Sequence, residues 1–299
     1  MHFGLWFSAK FIYDPNMEWV EPLEVQPYTE DLVQLAAAQF RLAGQFCDTC
    51  QNYHAVWPYR RLARVVATAE VGAPVFEATL RALFKSGKSR VLIAGCADAG
   101  LLALTARAGA AYGIDIVVLD RCRTPLELCR QFARHWSLRV DTLHQDLTTL
   151  DICAEFDIVF MNSVLLFIAP DLRIEALSRL GRALRQGGRL INVFNAGARV
   201  AAEEFTPLIL AEMKRRGSPL PESTEAFVQR LDDYEREYYA RERTLNDLDQ
   251  ILTLHRRSGF TVVRCIETDM GVTSPWQQTV AKSVQRRYMI EAECNRSSR

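Results

Sequence analysis

Between Cys47 and Arg61 the chain reads Cys-Asp-Thr-Cys-Gln-Asn-Tyr-His-Ala-Val-Trp-Pro-Tyr-Arg-Arg. Thiols, an imidazole, aromatic rings and guanidinium groups crowd into one segment. The imidazole of His54 has an ordinary pKa close to neutrality, so it is the candidate general base. Tyr53, with a hydroxyl that can orient an acceptor, is its candidate catalytic companion. Trp57, Tyr59 and Arg60 suit the wall of a pocket that grips a polar substrate, although core packing accounts for the same residues equally well. Cys47-x2-Cys50-x3-His54 also offers three metal ligands. A structural zinc site wants four, with a second pair some distance away. The remaining Cys and His residues stand singly, so no metal is expected.

A second stretch with chemistry in it is Arg90 to Gly100, Arg-Val-Leu-Ile-Ala-Gly-Cys-Ala-Asp-Ala-Gly. It reads as a buried strand, Val91 to Ala94, a turn of small residues, and a helix from Leu101 to Ala108. Such a turn brings backbone N–H groups to a ligand at a helix N-terminus. Asp120 lies 25 positions beyond Gly95 and closes a second strand, Asp115 to Leu119. An acid at that place can accept hydrogen bonds from ribose hydroxyls.

Elements that would position these groups follow from the pattern. Pro15, Pro22 and Pro27 mark an irregular N-terminal arm. From Thr29, a candidate N-cap followed by Glu30 and Asp31, the pattern is helical as far as Lys85, with breaks expected at Trp57-Pro58 and Gly72-Ala73-Pro74. After that, strands and helices alternate, as in a parallel α/β sheet. A helix opens at Thr124-Pro125. Strands follow at Val140 to Leu143 and Phe156 to Met161. A helix from Asp171 to Leu184 is expected to stop at the glycines Gly187 and Gly188, ahead of a strand at Arg189 to Phe194. Ala201 to Arg243 reads as a helical insertion in which Glu235-Arg236-Glu237 forms a solvated face. A capped helix ends at Ser258-Gly259, and strands are expected at Thr261 to Ile266 and Gln277 to Val284.

Composition excludes several classes of function. The chain has 299 residues, 49% of them apolar and 24% charged, with a formal net charge of zero. That is ordinary for a globular protein and gives no electrostatic footprint for nucleic acid. No apolar run approaches the ~18 residues of a membrane helix, and the N-terminus lacks the layout of a signal peptide. The eight cysteines are mostly scattered, as reduced thiols in a cytoplasmic protein would be. The aromatic arm, Met1 to Tyr13, suits a homodimer contact.

In its strand order and strand-end residues the chain resembles the class I S-adenosylmethionine-dependent methyltransferases. Gly95, Cys96, Ala97 and Gly100 stand at the family's glycine-rich first motif. Asp120 matches its ribose acid. Asp146 and Leu147 match the pair at the adenine. Asp157 opens the fourth strand, and Asn162 with Ser163 ends it beside the transferred methyl. Gln186-Gly187-Gly188 matches the turn before the fifth strand. The resemblance implies a Rossmann-like α/β sheet, mostly parallel with a C-terminal antiparallel strand, and helices on both faces. It divides the chain into an N-terminal arm and helical cap (1–87), a cofactor-binding core (88–196), a helical lid (197–243) and the C-terminal part of the sheet (244–299).

It further implies S-adenosyl-L-methionine as cofactor, held by Gly95, Cys96, Ala97, Gly100, Asp120, Asp146, Leu147 and Asn162. The implied reaction is methyl transfer to an O or N atom of a small molecule, in specialised metabolism, with Trp57, Tyr59, Arg60, Ser163 and Tyr238 about the acceptor. Neither nucleic acid nor membrane is an expected partner. Two positions depart from the family pattern. Ile93 replaces the acid before the first glycine, so the cofactor's ammonium would need Asp98 or a backbone carbonyl, and Ala97 replaces the second glycine. These departures keep two alternatives open: a transferase of the same fold that moves another group from the cofactor, and a binding protein without catalysis.

Overall fold

The computed structural model describes residues 32–47, 50, 52–63, 65–66, 68–69, 72–197, 205–242, 244–268 and 286–295. The N-terminal arm, the Thr29 cap and the strand expected at 277–284 lie outside them. Three helices come first: α1 (Leu32–Phe46), α2 (Tyr53–Leu62) and α3 (Ala73–Lys85). The alternating region follows as β1 (Arg90–Ala94), α4 (Gly100–Gly109), β2 (Asp115–Asp120), α5 (Arg123–His135), β3 (Val140–His144), β4 (Phe156–Asn162), α6 (Arg173–Ala183) and β5 (Leu184–Ala196). The chain continues through α7 (Phe205–Arg215), α8 (Thr224–Glu242), α9 (Leu248–Arg257), β6 (Phe260–Thr268) and β7 (Arg286–Cys294).

The strands form one sheet in the order β3-β2-β1-β4-β5-β7-β6. β7 runs antiparallel to both its neighbours, and the other pairs are parallel. β1 explains why the sheet needs two helical layers. Its successive side chains point to opposite faces, and Val91, Leu92, Ile93 and Ala94 are all apolar and fully buried. Val91 and Ile93 pack with Phe76, Leu80, Leu102 and Phe132 of α3, α4 and α5. Leu92 and Ala94 pack with Leu177, Leu180 and Ile251 of α6 and α9. A strand that is apolar on both sides belongs in the middle of a covered parallel sheet. No helix among the described residues is long and apolar enough to cross a membrane.

Two local expectations change. Pro58 does not break or start a helix: it sits inside α2. The ring removes the N–H that would bond to the carbonyl of His54, one turn back, and the side chain of Gln39 donates to that carbonyl instead, at 3.4 Å. Gly187 and Gly188 do not end α6, which stops at Ala183. Leu184 is already extended and pairs with Phe156. Gly187, at φ 70°, makes the turn from which the ladder resumes at Arg189. The cap of α9 is Asp247, whose carboxylate accepts the N–H of Asp249.

α1 and α2 share a layer with α7 and α8 of the insertion, whereas α3 packs on the sheet. Val56, Tyr59 and Leu62 of α2 share a core with Phe205, Ile209 and Met213 of α7 and with Phe227, Leu231 and Tyr234 of α8. An ion pair runs through that core: Arg60 Nε meets Glu235 Oε1 at 2.8 Å, with side chains only 1% and 3% exposed. The guanidinium also lies 5.0 Å from the ring centroids of both Tyr234 and Tyr238. Glu235 is therefore not on a solvated face, although Arg236 and Glu237 are exposed.

Removing one partner from a buried pair strands the other charge, a loss of about 3–5 kcal/mol. Glu235→Leu is expected to lower the denaturant-extrapolated stability by about 3 kcal/mol, and Arg60→Met with Glu235→Leu to recover most of it. Equal losses in the single and double variants would show that the pair does not hold the layer.

Candidate active site at the carboxyl ends of the strands

The turn after β1 lies at the centre of the parallel sheet. Gly95 takes φ 78°, and its N–H donates to the Leu119 carbonyl of β2 at 2.7 Å. A Cβ at Gly95 would stand 2.7 Å from a methyl of Val164, so both backbone and space call for glycine there. Ala97 is not among the described residues of positive φ, which is why alanine serves where the family pattern has its second glycine. Ile93 faces the sheet core and is fully buried, so it brings no polar atom to the turn.

Asp98 is taken up by the protein. Its Oδ1 accepts the N–H of Gly100 at 2.7 Å. Its Oδ2 accepts Trp57 Nε1 at 2.9 Å and pairs with the guanidinium of Arg61. Burial pushes this carboxyl up, but Arg61 and the donors outweigh it and hold the pKa below the ordinary range. Asp98 therefore ties the first motif to α2. Trp57 and Arg61 come from one face of that helix, at i and i+4.

Asp120 ends β2 with both oxygens turned to the loops. Oδ2 accepts the N–H of Cys96 at 2.9 Å, and Oδ1 accepts the N–H of Cys122 at 2.7 Å. Burial raises its pKa, against the nearby His54 and those two amides. Asp146, beyond β3, caps a short turn by accepting the N–H and hydroxyl of Thr148 at 2.8 and 2.7 Å. Leu147 is buried in the sheet core rather than exposed at the strand end. Asn162 Oδ1 accepts the Ser163 hydroxyl at 3.3 Å and a guanidinium N–H of Arg287 at 3.2 Å. Arg287, fully buried, also donates to Asn195 Oδ1 and to the carbonyl of Thr68, each at 3.2 Å. Ser163 adopts φ 57°, where the chain turns away from β4.

Among the candidates for acceptor contact, Tyr53, Trp57 and Tyr238 come together. The Tyr53 ring lies 5.5 Å from Trp57, 4.8 Å from Phe167 and 5.9 Å from Tyr234, between centroids. Tyr238 stacks on Tyr234 at 5.7 Å and meets Phe167 at 6.1 Å. Burial, with Tyr234 and Tyr238 nearby, pushes the Tyr53 phenol well above its usual range, so it stays protonated and can only donate or accept a hydrogen bond. Tyr59 does not join this group but belongs to the core of the helical layer, whereas Arg60, ion-paired with Glu235, lies against Tyr234 and Tyr238 and donates to the Tyr234 hydroxyl at 3.1 Å.

His54 is placed differently from the expectation of a base facing an acceptor. Its Nδ1 lies 3.2 Å from Cys50 Sγ and 3.5 Å from Cys47 Sγ. Its Nε2 lies 3.4 Å from the carbonyl of Cys96 in the first motif. Cys122, at the N-cap of α5, brings a third sulfur 3.5 Å from that of Cys47. Burial pulls the His54 pKa down, but hydrogen bonds with Cys122 and Cys50 and the charge of Asp120 push it up to about 10. Hydrogen bonds from Cys47 and Cys50 drive the Cys122 thiol far below its ordinary value.

Residues outside the sequence candidates complete the site. Gln39 donates to the carbonyl of Ala97 at 3.2 Å. Arg61, Phe167 and Arg287 are equally unmarked by local sequence. Their partners lie far away along the chain, with 125 positions separating Arg287 from Asn162.

Residues 91–188 match the family model described as a methyltransferase domain. A stretch of 85 residues is 35% identical to carboxy-S-adenosyl-L-methionine synthases of Pseudomonas putida strains GB-1 and KT2440. That stretch makes up 26% of this chain, and the match spans 34% of the length of these relatives. Among solved structures, 1,6-didemethyltoxoflavin-N1-methyltransferase of Burkholderia thailandensis is 18% identical, with a TM-score of 0.47 over 94% of this chain and 93% of that one. A TehB-like S-adenosylmethionine-dependent methyltransferase of Corynebacterium glutamicum is also 18% identical, with a TM-score of 0.44 over 82% and 97%. The segment that matches the methyltransferase-domain model runs from β1 into β5 and contains the glycine turn after β1 and the acid that ends β2.

Proposed function

We propose that this chain is an enzyme that transfers the methyl group of S-adenosylmethionine to a nitrogen or oxygen of a small, largely apolar acceptor. The observation that carries this reading is the pairing of Asp120 with the turn after β1, within the segment that matches the methyltransferase model. The amide of Cys96 holds one carboxylate oxygen beside the loop, and Gly95 makes the turn at positive φ with Val164 packed where a Cβ would stand. Asp120 takes the ribose hydroxyls. Asp146 and Asn162 flank the cofactor at the ends of β3 and β4.

The sulfonium supplies an activated methyl, so the protein's work is alignment and exclusion of water. With the cofactor bound, in-line attack by the acceptor's lone pair on the methyl carbon would displace the thioether, whose sulfur would keep the electrons of the broken bond. An amine acceptor then gives up a proton to solvent. Tyr53, Trp57, Phe167, Tyr234 and Tyr238 enclose the acceptor, with the neutral Tyr53 hydroxyl orienting it. His54 faces the thiols and the Cys96 carbonyl, so its role is to position the first motif, and the acceptor arrives with its lone pair available.

A second reading comes from Ile93, which leaves the cofactor's ammonium without the usual acid, and from the stretch shared with the carboxy-S-adenosylmethionine synthases. In that reading the chain handles a carboxylated form of the cofactor.

Calorimetric titration separates the readings. S-adenosylmethionine and S-adenosylhomocysteine are expected to bind, and Asp120→Asn to weaken both at least tenfold, or about 1.4 kcal/mol. Tighter binding of the carboxylated cofactor would favour the second reading, and no binding of any of the three would sink both. Gly95→Ala adds a methyl at positive φ against Val164. It is expected to lower stability by about 1–2 kcal/mol and to weaken S-adenosylhomocysteine in the same titration. An unchanged urea midpoint with unchanged affinity would show that the turn does not need its glycine.

A further inference from the structure

The geometry points to a structural zinc site formed by Cys47, Cys50, His54 and Cys122. Their ligand atoms all lie within 4.8 Å of one another. Two sulfurs on bonds of about 2.3 Å at the tetrahedral angle are about 3.8 Å apart, and a sulfur and an imidazole nitrogen slightly less. The observed separations follow that figure: 3.5 Å from Cys47 to Cys122, 3.5 Å from Cys47 to His54 Nδ1 and 3.2 Å from Cys50 to the same nitrogen.

The surroundings fit a metal as well as the donors do. Cys50, His54 and Cys122 are buried, and Cys47 is half-buried. His54 presents Nδ1 to the sulfurs, while Nε2 can donate to the Cys96 carbonyl. This second hydrogen bond is the usual device for fixing the tautomer of a liganding histidine. The Thr124 hydroxyl, 3.1 Å from Cys47 Sγ, can donate to that sulfur as a thiolate. Three thiolates and one imidazole in a closed tetrahedron suit zinc and leave no open position for a substrate, so the site is structural. Binding releases three protons in all, leaving three thiolates and a neutral imidazole on the metal, and the resulting complex carries a single negative charge.

The sequence supplied three ligands and no partner pair, which argued against a metal. The fold supplies the fourth from 75 residues beyond Cys47, at the start of α5. The metal would close the α1–α2 loop onto the β2–α5 turn. It would thereby fix two groups of the cofactor site: His54 against the Cys96 carbonyl, and Cys122 beside the amide that donates to Asp120. Nothing in the site itself depends on which group the enzyme transfers, so zinc content can be read with no methyl donor present.

The test is metal analysis of the full-length chain, produced without an affinity tag in zinc-supplemented medium and dialysed against metal-free buffer. About one zinc per chain is expected by plasma mass spectrometry. Cys122→Ser and Cys50→Ser should lose at least nine-tenths of it, and the exposed Cys153→Ser should keep it. Should either of the first two variants fail to fold, the native chain is refolded with cobalt(II) in place of zinc. It should then show strong visible bands of tetrahedral cobalt and a near-ultraviolet band from thiolate ligation. A native chain that carries no zinc and gives no such cobalt spectrum overturns the proposal, as does a Cys47–Cys122 disulfide found by mass spectrometry of the freshly purified protein.

Discussion

The peptide unit at Cys96 is gripped from both ends. Its N–H donates to Asp120, and its carbonyl faces His54 Nε2. The next carbonyl, that of Ala97, takes Gln39, and the next side chain, Asp98, takes Trp57 and Arg61. Four groups from α1 and α2 therefore reach the turn after β1. A glycine turn left alone is a flexible loop. Held in this way it becomes a fixed row of backbone groups, and preorganisation of that kind lowers the cost of binding a cofactor. The front helices are in this respect the support of the turn after β1.

α2 also reaches the aromatic cluster around Phe167. α2 carries Tyr53 and Trp57 toward Phe167, and it sends Arg60 into the layer formed with α7 and α8. This one helix thus holds the first motif, carries part of the aromatic cluster and anchors the insertion. Pro58 within this helix frees a carbonyl, which Gln39 satisfies while also holding the turn. Side chains that serve two contacts at once explain how about ten residues of helix can organise so much of the site.

The sheet was legible in the sequence because its signals are local. β1, β2 and β4 are built on short apolar runs and β3 is the mixed edge strand Val-Asp-Thr-Leu-His; each of the four begins and ends within a residue or two of where the pattern places it. Asp120 was legible for the same reason: its spacing from Gly95 is set by one helix and one strand. The helical layer was harder to read. Glu235 sits in a charged run that looks solvated, and only the approach of Arg60 from far earlier in the chain makes it a core residue. Cys122 looked like an isolated thiol, since nothing near it in sequence points to Cys47. Arg61 and Arg287 stand among many other arginines and are distinguished only by burial and partners. Tyr59 shared a segment with Tyr53 and Trp57 but occupies another face of the helix, and Arg60, on their face, is set apart by its pairing with Glu235, neither of which a count of residue types can show.

If the front helices and the strand ends make one cofactor site, binding must be felt in both. Hydrogen exchange of the backbone amides, measured with and without S-adenosylhomocysteine, tests this directly. The account predicts slower exchange in the turn after β1 and around Cys122, together with slower exchange through α2. Protection confined to the strand-end loops, with α2 exchanging as it does in the free protein, would contradict it.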